Sequence, residues 1–221
     1  MAVLLEPLLQ PEAVVQARLA LLAEQAAWQP GSATAGWHAR TVKHNRQLDP
    51  RSDLHGQLQE LVLAAMQAHP LVQATAFPRR IHSLRFSRCG EGEGYGRHLD
   101  NAWMPDGRSD LSFTVALSDP ESYSGGDLVL ELSAEQQRIR LPAGHAVLYP
   151  STLLHQVEPV GSGERLVAVG WIESRIRRAD QRELLFELDT ARRLQFSQHG
   201  KDEVFDLVSR SYSNLLRLWD G

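Results

Sequence analysis

With 221 residues, 43% of them hydrophobic and 23% charged, the chain has the composition of an ordinary soluble globular protein. That length suits one domain with attached helices. A net charge of −4 supplies no global basic field to hold nucleic acid, and the single cysteine, Cys89, excludes an intrachain disulfide.

The opening Met1-Ala2-Val3-Leu4-Leu5-Glu6-Pro7 lacks the basic region of a signal peptide, and Glu6 cuts its apolar run short. Nowhere does an apolar run approach the roughly 20 residues of a membrane-spanning helix. Together with the lone cysteine, these features predict a cytoplasmic protein in a reducing compartment. From Pro11 to about Ala27, Val14, Val15, Leu19, Leu22 and Ala26 recur at helical spacing, and Pro11 suits a first helical turn. A polar stretch from Gln29 to Pro50 follows, holding Gly31, Gly36 and the basic run Lys43-His44-Asn45-Arg46. A second helix is predicted from about Ser52 to His69, with Leu58, Leu61, Val62 and Ala65 on one face and Pro70 ending it.

Between about Arg80 and Glu173 the period changes. Short runs rich in Val, Leu, Ile, Phe and Thr alternate with Gly, Pro, Asp and Ser clusters. Predicted strands are Ile81–Ser87, Tyr95–Leu99, Leu111–Leu117, Asp127–Leu132, Gln136–Leu141, Ala146–Tyr149, His155–Pro159 and Arg165–Ile172. Eight short strands broken by turns fit a jelly roll, or double-stranded β-helix. From about Arg177 the helical period returns. Leu184, Leu185, Leu188 and Ala191 line one predicted helix, and Val204, Leu207, Val208, Leu215 and Leu218 another, with Gly200 between. Amphipathic helices need a surface to cover. That surface is the chain's own barrel, or a second copy in a homo-oligomer sealed by Leu184, Leu188, Leu215 and Leu218. The expected fold is α+β: a helical region 1–79 packed on the core, a jelly-roll core over 80–174, and a small C-terminal helical module over 175–221.

Chemistry concentrates in the predicted barrel. His98 and Asp100 stand two residues apart, which on an extended backbone puts both side chains on one face. His155 follows the Tyr149-Pro150-Ser151 turn, and Arg165, ten residues on, opens an apolar strand. Two imidazoles and one carboxylate on one side of an iron leave positions open for a cosubstrate and dioxygen. An arginine entering a buried strand needs an anionic partner, and the far carboxylate of a 2-oxo acid fits its fork. Plainer accounts stand beside these: a loop hydrogen bond between His98 and Asp100, and a structural Asp or Glu beside Arg165.

Other motifs read more simply. Gly125-Gly126-Asp127 is a tight turn into a strand, and His145 a loop residue. His38, His44, His55, His69, His82 and His199 are expected at the surface or in caps. Cys89 reads as a buried small residue, with a redox liability near iron or a substrate-side wall as the other accounts. Asn101 to Arg108 reads as a loop over the site mouth, or an inert connection.

Several segments together carry a resemblance. Gly94-Tyr95-Gly96-Arg97-His98-Leu99-Asp100-Asn101 resembles the iron-binding segment of prolyl-4-hydroxylase-like 2-oxoglutarate oxygenases. Asp106-Gly107-Arg108-Ser109-Asp110, Ser124-Gly125-Gly126-Asp127-Leu128 and Leu148-Tyr149-Pro150-Ser151 are similar to bacterial PKHD-type hydroxylases. So are His155-Gln156-Val157, Gly163-Glu164-Arg165, Leu185-Phe186-Glu187-Leu188-Asp189, and Val42-Lys43 with Asn45 and Gln47. The resemblance spans most of the chain. It implies that His98, Asp100 and His155 bind Fe(II), that Arg165 anchors 2-oxoglutarate, and that ascorbate is required.

The implied reaction uses O2 to hydroxylate a C–H bond of an unidentified peptidyl or small-molecule substrate, releasing succinate and CO2. Asp100, being a carboxylate, argues against halogenation, which needs that position free for a halide. One departure is Cys89, where these oxygenases usually carry a tyrosine. Two other readings are an oxidative demethylase of the same superfamily acting on nucleic acid, and a non-catalytic cupin-like metal- or ligand-binding module. The acidic balance counts against the first, and the second leaves Arg165 unexplained. No residue encodes a recognisable substrate specificity; Lys43 to Arg46 and the segment after Asp100 are the candidates for contacting it.

Overall fold

The computed structural model describes residues 3–5, 7–23, 25–34, 36 and 39–220, so the expectation for His38 lies outside the described residues. The chain opens with β1 (Val3–Leu5) and helix α1 (Pro11–Leu22), which buries Val14, Ala17 and Leu21. Pro11 sits in the first turn, where its missing N–H costs nothing. The helix stops short of Ala27, and β2 (Trp28–Pro30) follows, with Trp28 Nε1 donating to Leu21 O at 3.2 Å.

The polar stretch holds strands that were not predicted. β3 (Lys43–His44) and β4 (Arg46–Leu48) flank Asn45, and buried Lys43, Asn45 and Gln47 alternate with exposed His44 and Arg46. This is the period of a strand whose inward face is polar. Helix α2 (Asp53–Ala68) starts at Ser52, whose Oγ accepts from His55 N at 3.2 Å. Pro70 does more than end it. It opens a further helix, α3 (Pro70–Ala76), capped by the His69 side chain, which accepts from Leu71 N.

Then come β5 (Pro78–Cys89), β6 (Gly94–His98), a small hairpin of β7 (Trp103–Met104) and β8 (Gly107–Arg108), and β9 (Leu111–Ala116). β10 (Tyr123–Gly125), β11 (Leu128–Glu131), β12 (Gln136–Ile139) and β13 (Ala146–Pro150) follow. β14 (His155–Val157), β15 (Val160–Gly163) and β16 (Arg165–Ser174) complete the strands. Each of the eight predicted strands is among them, with ends displaced by a few residues. One sheet runs in the order β1-β13-β9-β16-β5-β4-β2 and the other β12-β11-β14-β6-β3, with β10-β15 and β7-β8 as small ribbons.

Alternation along β5 divides the interior in two. Leu84 and Phe86 enter a core with Phe113, Leu148 and Ile172, covered by Val14 and Leu21 of α1 and by Val62 and Met66 of α2. Arg85, Ser87 and Cys89 face the other way, into a cleft between the two sheets. His55 and His82 were expected at the surface or in caps; both are buried. Each donates from Nε2 to a carbonyl, His55 to Leu84 O at 3.2 Å and His82 to Arg108 O at 3.0 Å.

Helices α4 (Ala179–His199) and α5 (Glu203–Trp219) end the chain, separated by Gly200 at φ +71°. Phe196 against Phe205 and Arg192 over Tyr212 hold them together. Leu185 is buried, whereas Leu184 and Leu218 face solvent. Among the described residues no helix is long and apolar enough to cross a membrane.

Phe86→Ala is expected to lower unfolding stability by about 3–5 kcal/mol, measured by urea denaturation. Leu218→Ala, at a residue 74% exposed, is expected to stay within about 0.5 kcal/mol of the parent.

Candidate active site

β14 pairs antiparallel with β6 so that His155 stands opposite His98. Their rings meet in the cleft with centroids 4.2 Å apart. Asp100 lies two residues beyond β6, one carboxylate oxygen 3.8 Å from His155 Nε2. One donor atom from each of the three residues lies within 4.8 Å of the others, and among the described residues no other His, Cys, Asp and Glu cluster does this.

Backbone carbonyls orient both rings. His98 Nδ1 donates to Gly96 O at 2.8 Å, and His155 Nδ1 to Leu153 O at 3.0 Å. With the proton on Nδ1, each Nε2 keeps its lone pair for a metal. Asp100 hydrogen-bonds across the cleft rather than to His98: Ser112 Oγ donates to its Oδ2 at 2.5 Å and meets Ser151 Oγ at 2.8 Å. Tyr95 stacks on His98 at 3.5 Å between ring centroids, and Lys43 Nζ lies 5.0 Å from the Tyr95 ring. Burial, and then the neighbouring His155, push the His98 pKa down to about 4. The ring is therefore neutral near pH 7, as a ligand must be.

Arg165 opens β16 opposite Cys89 of β5 and is only 6% exposed. Among the described residues no hydrogen bond or ion pair engages its guanidinium, so the structural Asp or Glu is missing. Gly126, at φ +69°, makes room for it: a Cβ there would stand 3.0 Å from Arg165 Cδ. The Gly125-Gly126 turn therefore serves the site as well as the chain reversal. Cys89 is buried, as expected, and also lines the cleft. Burial pushes its thiol pKa up, with Arg165 pulling the other way.

The cleft holds a cavity of about 120 Å³ between the two sheets. Lys43, Asn45 and Gln47 contribute to its wall, and Asn101 and Met104 line its hairpin end. Segment 101–108 is thus part of the mouth, built as the β7–β8 hairpin. Ser83 Oγ donates to Asp106 Oδ2 at 2.8 Å, and the Arg80 guanidinium to Asp106 O. His98, Asp100, His155 and Arg165 all line one cleft, as the sequence reading expected; it missed Tyr95, Ser112 and Arg85. The inward step Arg85-Ser87-Cys89, polar opposite apolar Leu84 and Phe86, was the available signal for the last.

A jelly-roll cleft with two tethered imidazoles, a carboxylate and a buried arginine lacking a described anionic partner defines a class: the non-haem iron, 2-oxoglutarate-dependent oxygenases. Sequence comparison agrees. The profile of the 2OG-Fe(II) oxygenase superfamily matches residues 84–173, and that of the PKHD-type hydroxylase C-terminal domain matches 180–220. A PKHD-type hydroxylase of Synechococcus elongatus is 54% identical over 193 residues, 86% of each chain. One of Prochlorococcus marinus is 47% identical over 214 residues, 97% of each. The chain belongs to the PKHD-type hydroxylase family, as an Fe(II)- and 2-oxoglutarate-dependent dioxygenase, which sets aside the non-catalytic module.

Two crystal structures share the fold. A Pseudomonas putida prolyl-4-hydroxylase is 22% identical with a TM-score of 0.51, covering 78% of this chain and 92% of that one. A Burkholderia pseudomallei oxidoreductase of the 2OG-Fe(II) oxygenase family is 20% identical with a TM-score of 0.55, covering 77% and 84%.

The depressed His98 pKa has a sign. Below about pH 6.5 the unfolded chain takes up a proton that the folded, metal-free protein refuses, so stability is lost as pH falls toward 4. Burial lowers the His55 pKa as well and adds in the same direction. Urea unfolding of metal-free protein between pH 7 and 4 is expected to show this decline, with a shallower slope in His98→Asn.

Proposed function

We propose that His98 Nε2, His155 Nε2 and the Asp100 carboxylate hold the iron, and that Arg165 holds the far carboxylate of 2-oxoglutarate. The enzyme hydroxylates a C–H bond of a peptidyl or small-molecule substrate in the cytoplasm, with ascorbate as reductant. The observation that carries this reading is one juxtaposition: three convergent donors share a cleft with a buried guanidinium that has no anionic partner among the described residues.

Bound ferrous iron, with 2-oxoglutarate and dioxygen, supplies the oxidising power for C–H hydroxylation and releases succinate and CO2. The protein's part is binding and orientation. The Gly96 and Leu153 carbonyls keep both Nε2 atoms unprotonated, and Ser112 fixes the carboxylate plane from the opposite sheet. Arg165 sets which end of the cosubstrate faces the metal. The catalytic unit is 80–174, completed by Lys43, Asn45 and Gln47 from region 1–79, with 175–221 as an attached helical module. Net charge of −4 supports a peptidyl or small-molecule substrate over nucleic acid. Exposed Leu184 and Leu218 support self-association through the C-terminal helices as a separate reading.

Anaerobic addition of ferrous iron and then 2-oxoglutarate to the apoprotein is expected to raise a weak visible charge-transfer band. His155→Ala and Arg165→Ala should abolish it, the latter by weakening 2-oxoglutarate about 100-fold or more. Tight iron binding without a band in the parent protein would contradict the assignment. Ser112→Ala is expected to lower iron affinity about tenfold or more in calorimetric titration, with the circular dichroism spectrum unchanged.

A further inference from the structure

Arg165 is not the only guanidinium in the cleft. Arg85 lines it too, half-buried on the face of β5 that carries Ser87 and Cys89. Among the described residues no hydrogen bond or ion pair engages it. In the sheet register Arg85 stands opposite Val169, and Cys89 opposite Arg165. The two arginines are therefore offset by four residues along the strands, roughly 13 Å at about 3.3 Å per residue. Arg85 occupies the mouth side. The next inward residue on β16 beyond Val169 is Trp171, in register with His82, which holds the hairpin carbonyl of Arg108. Asp106 of that hairpin is the acid that acts on Arg85 from a distance.

Trp171 supplies a second observation. It lines the cleft, and its Nε1 is buried with no acceptor among the described residues. A buried donor is normally satisfied, so an unpaired one on a cleft wall points to a ligand acceptor.

Charge points the same way. Among the described residues, the cleft-lining side chains include the cations Lys43, Arg85 and Arg165 and the single acid Asp100. Divalent iron and doubly charged 2-oxoglutarate cancel, leaving the loaded cleft electropositive. Both carboxylates of 2-oxoglutarate are already committed, one to Arg165 and one to the metal, so neither remains for Arg85. Burial depresses the Arg85 pKa, the expected consequence of a charge held out of water.

We infer that the substrate carries a carboxylate that docks on Arg85 and Trp171 Nε1, at the mouth side of the metal set. The substrate is thus an acid, either a small carboxylic acid or a peptide presenting its C-terminus. The inference rests on the assignment of His98, Asp100, His155 and Arg165 above. Arg85 is a specificity residue, holding the substrate so that a neighbouring C–H bond faces the metal.

The test uses the anaerobic holoenzyme with ferrous iron and 2-oxoglutarate, whose visible band shifts when a second ligand displaces metal-bound water. The probes are matched pairs: N-acetyl amino acids spanning the common side chains against their carboxamides, and tripeptides with free against amidated C-termini. Carboxylate members of one series are expected to bind at least tenfold more tightly than their amides, and the series that binds identifies the source. Arg85→Gln should erase the preference while the band itself persists, Arg85→Lys should restore part of it, and Trp171→Phe should reduce it. Equal binding of acid and amide, binding by neither, or a preference that survives Arg85→Gln overturns the inference. Absence of the band from the parent protein instead overturns the cosubstrate assignment on which it rests.

Discussion

β14 is three residues long and lies between two partners, with His155 opposite His98 of β6 on one side and Leu130 of β11 on the other. A slip of one residue would turn His155 out of the cleft and bring its neighbour in, because side chains alternate across a strand. The large sheet is held just as firmly by the core around Phe86, Phe113 and Ile172, all almost fully buried. Ser112 can meet Asp100 at 2.5 Å only while both sheets keep their spacing. The site is therefore a cross-sheet measurement, and the core is the ruler.

That geometry sets charge against stability. Among the described residues Lys43, Arg85 and Arg165 share the cleft with one acid, and burial holds Lys43 down at about 8, with Arg85 adding to the effect. Arg165, buried with no ion-pair partner among the described residues, is a costly charge, and an anionic ligand beside it offsets that cost. Ligands that bind only the folded chain return this stability by mass action. A protein arranged this way is firmest when loaded.

Much of the fold was legible because period-2 and period-3.6 patterns are local. The apolar strands of the barrel, the helix starting near Ser52 and the break at Gly200 could all be read from neighbouring residues. β3 and β4 could not, because Lys43, Asn45 and Gln47 put polar groups where an amphipathic strand usually puts apolar ones, and the stretch resembled a loop. The same rule hid Arg85. His98 and Asp100 were visible through their spacing, while the partnership with Ser112 and Ser151 spans separations of 12 and 51 residues from Asp100 and exists only once the sheets face each other. Pro70 was read as a stop, yet the same fixed φ that bars it from a helix interior suits it to a first turn.

The hairpin at the mouth is tied on two sides. Asp106 and Arg108 are held by Ser83 and His82 of β5, and Arg108 pairs with Asp110 at 2.9 Å while reaching the Ser174 carbonyl at 2.8 Å. Asp110 in turn accepts from Ser174 N at 2.8 Å, at the end of β16 just before the C-terminal helices begin. A rim anchored in this manner does not swing as an independent flap. Nor is it an interchangeable cassette: grafting a foreign segment over 101–110 would remove Asp110 together with the loop, strip the backbone of Ser174 of its acceptor, and loosen the start of α4 from the barrel.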